Sequence, residues 1–342
     1  MRLRSIFLVV LGVLILWFLY LERAILTPFV LAGIFAYIFN PVVNFISEKL
    51  RLPRTFSVIV LYLLIVGVLV SGGLQIGRRA INESGELQKF VITIAREGQE
   101  QVKNLPPYIE PVAAEAITQV RQSRFFEPTF IFSIFPQAIS GVISFIIFLF
   151  SGFFFLKEGR SIIDKFLNFL PGDYRLETEI LLRKINRVLG GYLRGQLLLV
   201  LFVSIIYYIG LTLLGIKFAL YLAIFSGIAE IVPIIGPIAS GALVALIAFL
   251  AGTSNFGLSP IYTAGAVVLL YFATNQIQEY LIKPYVLGKI TKLHPLIILF
   301  AVLAGGKLAG ALGLILAIPV AAVVRIMLEF SLDIISSSER KK

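Results

Sequence analysis

Cysteine is absent from this 342-residue chain, and histidine occurs once, at His294. The first absence excludes a disulfide framework, thiolate chemistry and any cysteine-ligated metal, and it leaves the redox compartment undecided. One histidine is too few for a histidine-built metal centre or catalytic triad. No GxxxxGK[ST] loop occurs, so this chain holds no ATPase motor of that kind. No nucleophile and base stand at an enzyme-like spacing, and no cofactor or resident metal is expected. Charge is scarce too. Only 14% of residues are Asp, Glu, Lys or Arg, against about 25% in soluble domains.

Long apolar runs take the place of these groups. Hydrophobic residues make up 58% of the chain, in stretches too long and continuous for barrel strands. The expected fold is therefore an all-α integral membrane protein. The net charge of +11 is most simply lysine and arginine held on the cytoplasmic side of a membrane, with no nucleic acid involved. The chain opens with Arg2 and Arg4 and then runs apolar from Ile6 to Leu21. No small-residue cleavage site follows, so a retained span is expected there and not a removed signal.

The polar breaks divide the chain into six parts. Residues 1–76 hold the N-terminal spans, with Pro28 and Asn40-Pro41 inside the second apolar run. Residues 77–128 form a polar insertion with seven basic and seven acidic residues. Leu87, Val91, Ile94, Val102 and Leu105 recur there at near-helical spacing, which predicts an amphipathic helix. Residues 129–156 are a further span. Residues 157–195 are polar and basic, with Leu181, Ile185, Val188 and Tyr192 striping one helical face. Lys157 and Glu158 at the start of this region read as an interfacial cap. Residues 196–330 form a C-terminal membrane core, and residues 331–342 a basic tail.

Two segments in that core are too long for one span and too short for two. Ala219–Leu250 is a 32-residue apolar stretch whose sole charged residue is Glu230, followed at once by Pro233, Gly236 and Pro237. A span takes about 20 apolar residues, and two prolines with a glycine break a helix in its middle. Leu293–Leu328 is the second such stretch, interrupted at Gly305-Gly306-Lys307 and Gly310. Both predict broken, re-entrant hairpins, giving about eight membrane segments. Interrupted segments in matching positions point to a transport site.

Glu230 is the first candidate site residue. A carboxylic acid withdrawn from water holds its proton to higher pH, so it can bind and release one near neutrality. Carbonyls freed at the Pro233 break can coordinate a cation or a polar solute. The bland alternatives are an interfacial helix end or a structural pair with Lys217. Pro233, Gly236 and Pro237 shape the tip. Asn275, Gln278 and Glu279 fall at i, i+3 and i+4 on one face, lining a polar route or a solvated helix end. Lys307 is a tip cation that pairs, steers an anion or snorkels to the interface. Gly306 and Gly310 have the small-xxx-small spacing that lets helices approach closely. His294, between Leu293 and Pro295, reads as a hydrogen-bonded interface residue rather than a proton relay.

The order of motifs resembles one family. Glu230-Ile231-Val232-Pro233-Ile234-Ile235-Gly236-Pro237 is similar to the E-x-x-P-x-x-G-P element of AI-2E family membrane proteins, also called autoinducer-2 exporter-like or PerM-like permeases. Gln278 to Lys289, then Leu293-His294-Pro295, resembles the second signature of that family. Gly305-Gly306, Gly310, Gly313, Ala317, Pro319 and Val320 resemble its tail. Pro28-Phe29, Asn40-Pro41 and Pro171 match early elements. The resemblance implies a multi-pass transporter without its own ATPase, assembled as a homo-oligomer in the bacterial inner membrane. Lysine and arginine placement puts both termini in the cytoplasm. The implied cargo is a small solute such as an autoinducer-2-like signal, or sodium or lithium exchanged for protons near Glu230. A non-transporting membrane scaffold, acting through its polar regions, is the reading from another class. The expected partners are membrane lipid, the solute or monovalent cation with a proton, and further copies of the chain.

Overall fold

A computed structural model describes residues 21–74, 128–251, 255–286 and 293–339, with a few isolated positions in 10–18 and 111–118. The expected first span at Ile6–Leu21 and the amphipathic insertion at 77–128 fall almost wholly outside these residues. Among the described residues all regular structure is helical. The helices are α1 (Arg23–Leu50), α2 (Arg54–Leu74), α3 (Pro128–Asn168), α4 (Gly172–Leu213), α5 (Ala219–Ala229), α6 (Ile235–Ala251), α7 (Pro260–Ile277), α8 (Lys283–Val286) and α9 (Pro295–Glu339). A π-helical turn, Gln278–Ile282, joins α7 to α8.

Four of these helices contain stretches long and apolar enough to cross a bilayer, at Ile25–Leu50, Arg54–Leu74, Gly141–Asn168 and Tyr174–Leu213, and a fifth apolar stretch of that length, Pro295–Leu332, is broken within α9. Their outer surfaces are apolar as well. Leu63, Val68, Leu69 and Phe150 are 64–69% exposed. Such a surface is unfavourable in water and is what lipid demands.

The chain divides into two compact units. One comprises Met1–Leu64, Ile134–Leu193 and Leu293–Lys342; the other comprises Ile65–Ser133 and Arg194–Lys292. In the first, α1 keeps Pro28 and Pro41 within its length and ends at Arg51 in the left-handed region. Arg54 then ties three helices together. Its Nη2 donates to Asn40 Oδ1 at 2.6 Å, its Nη1 to Asn44 Oδ1 at 2.9 Å and its Nε to the Leu156 carbonyl at 2.7 Å. Tyr62 donates to the Leu149 carbonyl at 2.9 Å, and Gly152 leaves room for that hydroxyl. Lys157 and Glu158 pair at 3.0 Å but do not end a helix. α3 continues through them to Asn168.

The second unit packs Val203, Tyr207 and Leu211 of α4 against Ala219, Ala223, Val244, Ala248, Val267 and Tyr271. Its hairpin of α5 and α6 breaks at residues 230–234, as the sequence leads one to expect. Ile234 takes φ 69°, and Gly236 comes so close to α5 that an added Cβ would lie 1.8 Å from the Ala229 carbonyl oxygen.

The other hairpin lies in the first unit, within α9. Its break is at Ala309 and Gly310, whose dihedrals leave the helical region, and not at 305–307. Eight residues of straight helix span about 12 Å. Yet a Cβ on Gly305 would lie 2.5 Å from the Gly313 carbonyl oxygen, and one on Gly313 would lie 1.8 Å from that of Gly305. The chain therefore doubles back at Gly310, which has φ 57°. The two arms come together most closely at Gly305 and Gly313. α9 extends helically into the basic tail, through Glu339.

These two glycine contacts make a paired prediction. Gly236→Ala and Gly313→Ala should each cost about 1–3 kcal/mol through overpacking against backbone. Gly265→Ala, where an added Cβ meets nothing within 4 Å, should be neutral or stabilising. Thermal unfolding of the purified variants in detergent checks both halves.

Candidate functional site

The site grows from the broken hairpin in the second unit. Glu230 follows α5 and turns its side chain inward, leaving it 2% exposed. The Gln196 side-chain amide on α4 donates to the Glu230 carbonyl oxygen at 2.9 Å. Three other carbonyls at the break are also in use. Ala229 accepts from Val232 N, Val232 from Gly236 N and Pro233 from Ile235 N. The expectation of freed carbonyls is thus corrected in part: the tight tip spends those of Ala229, Val232 and Pro233 internally, and Gln196 takes that of Glu230.

α7 supplies most of the remaining side chains. Val267, Tyr271, Thr274 and Gln278 are all buried, at spacings of four, three and four residues, which is one helical stripe. Tyr271 Oη meets Ser226 Oγ of α5 at 2.6 Å. Tyr271 stacks on Tyr207 of α4 with ring centroids 4.0 Å apart and planes 13° apart. Gln278 lies against the Glu230 carboxylate, and the Tyr207 hydroxyl is within electrostatic reach of it. The Tyr207 hydroxyl, Glu230 Oε2 and both Gln278 amide atoms are buried without a hydrogen-bond partner in the protein. A buried polar atom left unpaired costs about 1–3 kcal/mol. Four such atoms lie in this stretch.

The charge balance comes from Lys283, in the first turn of α8 beyond the π turn. Its ammonium lies 3.8 Å from Glu230 Oε1 and 2.5 Å from Glu279 Oε1. It is therefore hydrogen-bonded to the exposed acid and only ion-paired to the buried one. Lys217, the alternative partner read from the sequence, is exposed.

The sequence-derived candidates separate accordingly. Glu230 and Gln278 share the buried site. Pro233, Gly236 and Pro237 form the tip beside it. Asn275 is half-buried, and Glu279 points outward to Lys283, so Asn275, Gln278 and Glu279 do not line one route. The wider π turn at Gln278 rotates the residues after it away from the stripe. Lys307 sits exposed at the tip of the other hairpin, and the two hairpin tips belong to different units. His294 Nδ1 accepts from Leu296 N at 3.3 Å at the start of α9, a local cap. Tyr207, Tyr271, Ser226, Gln196 and Lys283 are site residues that sequence reasoning missed. The spacing of Tyr271, Thr274 and Gln278 in an otherwise apolar span was the available signal. Among the described residues no group of three or more metal-ligating side chains forms.

Comparison with known proteins gives this arrangement a context. The model of the family described as "AI-2E family transporter" matches residues 6–333. A relative in Bacillus subtilis (strain 168) named "Putative transport protein YueF" is 30% identical over 329 residues, covering 87% of this chain and 82% of the relative. A second from the same organism, "Putative transport protein YrrI", is 27% identical over 90% of this chain and 86% of its own. A Halobacillus andaensis protein named "Sodium-lithium/proton antiporter" is 24% identical over 92% of each chain. With its apolar helices and a family match over nearly its full length, the chain belongs to the AI-2E family of transporters and is a multi-pass membrane protein.

Proposed function

We propose that this protein exchanges a monovalent cation, sodium or lithium, for protons at Glu230, without an ATPase. One observation carries the reading. A carboxylate that is 2% exposed keeps an oxygen without a partner and has its countercharge on a lysine 3.8 Å away that holds a second acid. A fully satisfied structural ion pair would have neither feature. The Glu230 carboxylate alternately takes a proton and a cation, both of which cancel its charge. Gln278 Oε1 is the neutral oxygen beside it. Lys283 balances the carboxylate when no cation is there, and a cation arriving at Glu230 leaves Lys283 to Glu279. The name of the Halobacillus andaensis relative supports the same chemistry.

A second reading rests on a different feature. Gln278 Nε2 and the Tyr207 hydroxyl are donors, which a cation does not use and a small polyhydroxylated solute does. Export of an autoinducer-2-like solute fits those two groups. In either case the excess of lysine and arginine in the regions 47–55, 157–195 and 340–342 supports a bacterial inner-membrane protein with both termini in the cytoplasm.

Flux in proteoliposomes tests both readings. Glu230→Gln should abolish sodium- or lithium-driven proton movement, and Glu230→Asp should keep part of it. Solute export should survive Glu230→Gln at least partly. Absence of any flux in the unaltered protein overturns transport by this chain alone and favours a scaffold.

Lys283→Gln gives a second, independent outcome. Removing a fixed positive charge about 4 Å from the carboxylate should tighten equilibrium sodium binding by about tenfold or more. Glu279→Gln frees Lys283 for Glu230 and should weaken binding by about twofold, the scale of an exposed i,i+4 pair. Isotopic sodium binding to purified protein reads both directions.

A further inference from the structure

The first unit contains a polar recess of its own. A cavity of about 370 Å³ is framed by α1, α2, α3 and α4. Its polar wall is Tyr37, Asn40, Arg54, Arg160 and Asn186, and its apolar wall includes Phe155, Ile162 and Ile163. No carboxylate lines it. Arg54 is fixed there by two asparagine side chains and a backbone carbonyl, all of them neutral. Arg160 is near enough to act on it as a like charge. Among the described residues neither guanidinium forms an ion pair with an acid.

Two guanidiniums held at one cavity repel each other, and no acid lies within ion-pair distance of either among the described residues, although Arg160 shares an adjoining recess with Asp164 and Glu179. Three of the five N–H donors of Arg54 are used by those neutral partners, so two remain. Arginine forks match the oxygens of a phosphate group. The level of the cavity in the membrane follows from α3. Its apolar run ends at Leu156, and the charged residues begin at Lys157, so the polar wall sits where hydrocarbon gives way to headgroups. Basic pockets between membrane helices at that depth suit anionic headgroups. The apolar wall then runs along the path of an acyl chain.

We propose that this cavity binds a phosphate group through Arg54 and Arg160, with the phosphodiester of an anionic lipid as the source that fits its apolar wall. A free phosphate is the alternative source of the same chemistry. Gly33 and Gly159 also line the cavity, and an added Cβ at either meets nothing within 4 Å. Their missing side chains are what keep it open.

The test uses the full-length protein in neutral detergent without phosphate buffer. Thermal unfolding is followed against added phosphatidylglycerol, phosphatidylcholine or inorganic phosphate. Phosphatidylglycerol should raise the midpoint saturably, and phosphatidylcholine should not. Arg160→Gln, which leaves the Arg54 clamp intact, should weaken that lipid's apparent affinity about tenfold. Gly159→Leu fills the cavity, keeps both arginines and improves helix propensity, so it should fold and lose the effect. A shift with inorganic phosphate as large as with the lipid assigns the site to the free anion and overturns the lipid source. No shift with either, or equal shifts in both variants and the unaltered protein, overturns the site itself.

Discussion

A carboxylate placed out of water governs the second unit. The bare cost of such a charge is several kcal/mol, and it falls only when partners are arranged around it. Each irregular feature nearby can be traced to that arrangement. The Pro233 break ends α5 at Glu230, so the acid sits at a helix end rather than along a lipid-facing side. Gly236 lets α6 begin against Ala229, closing the tip without bulk. Gln278 continues the buried stripe of α7, and the π turn that starts there presents Lys283 from beyond it. The Gln196 amide holds the backbone of Glu230 and leaves its side chain unrestrained. The protein thus fixes where the carboxyl group is while leaving part of its bonding capacity open.

The two hairpins solve one geometric problem by different chemistry. In α5–α6 a proline removes a donor, Ile234 accepts a positive φ, and one glycine permits contact with a carbonyl. In α9 the reversal needs only Gly310 at positive φ, and its arms meet through Gly305 and Gly313. The first tip is stiffened by hydrogen bonds from Val232, Ile235 and Gly236 and has an acid at its base. The second places an exposed lysine at its point. Similar outlines therefore do not imply similar roles, and the gathering of unpaired polar atoms occurs at the first alone among the described residues.

Much of this was readable in the sequence, because the bilayer restricts what a chain can do. Run lengths of 32 and 36 residues predicted two reversals, since neither one span nor two fits those lengths. Glu230 stood out as the sole charge in its run. The partners were harder to see. Lys283 and Glu279 are four residues apart and read as a solvated helix end; only the π turn, which no residue pattern announced, brings the lysine toward Glu230. Tyr207, Tyr271 and Ser226 lie in apolar spans where an aromatic residue ordinarily means packing. The contact of Gly305 with Gly313 was hidden for a related reason, since it exists only because the chain reverses at Gly310.

The two units also treat charge in opposite ways. In the second, a negative group meets a positive one at a distance that leaves it replaceable, and the positive group has a further acid at hand. In the first, Arg54 is anchored by neutral acceptors that orient it without cancelling its charge, and Arg160 adds to that charge. An ion pair would have held α1, α2 and α3 together equally well, and a carboxylate at Asn40 or Asn44 would have supplied it. Asparagine satisfies the same geometry and leaves the field of the arginine intact. A positive field kept at the boundary between hydrocarbon and headgroup is a feature that the surroundings, rather than the protein, are positioned to neutralise.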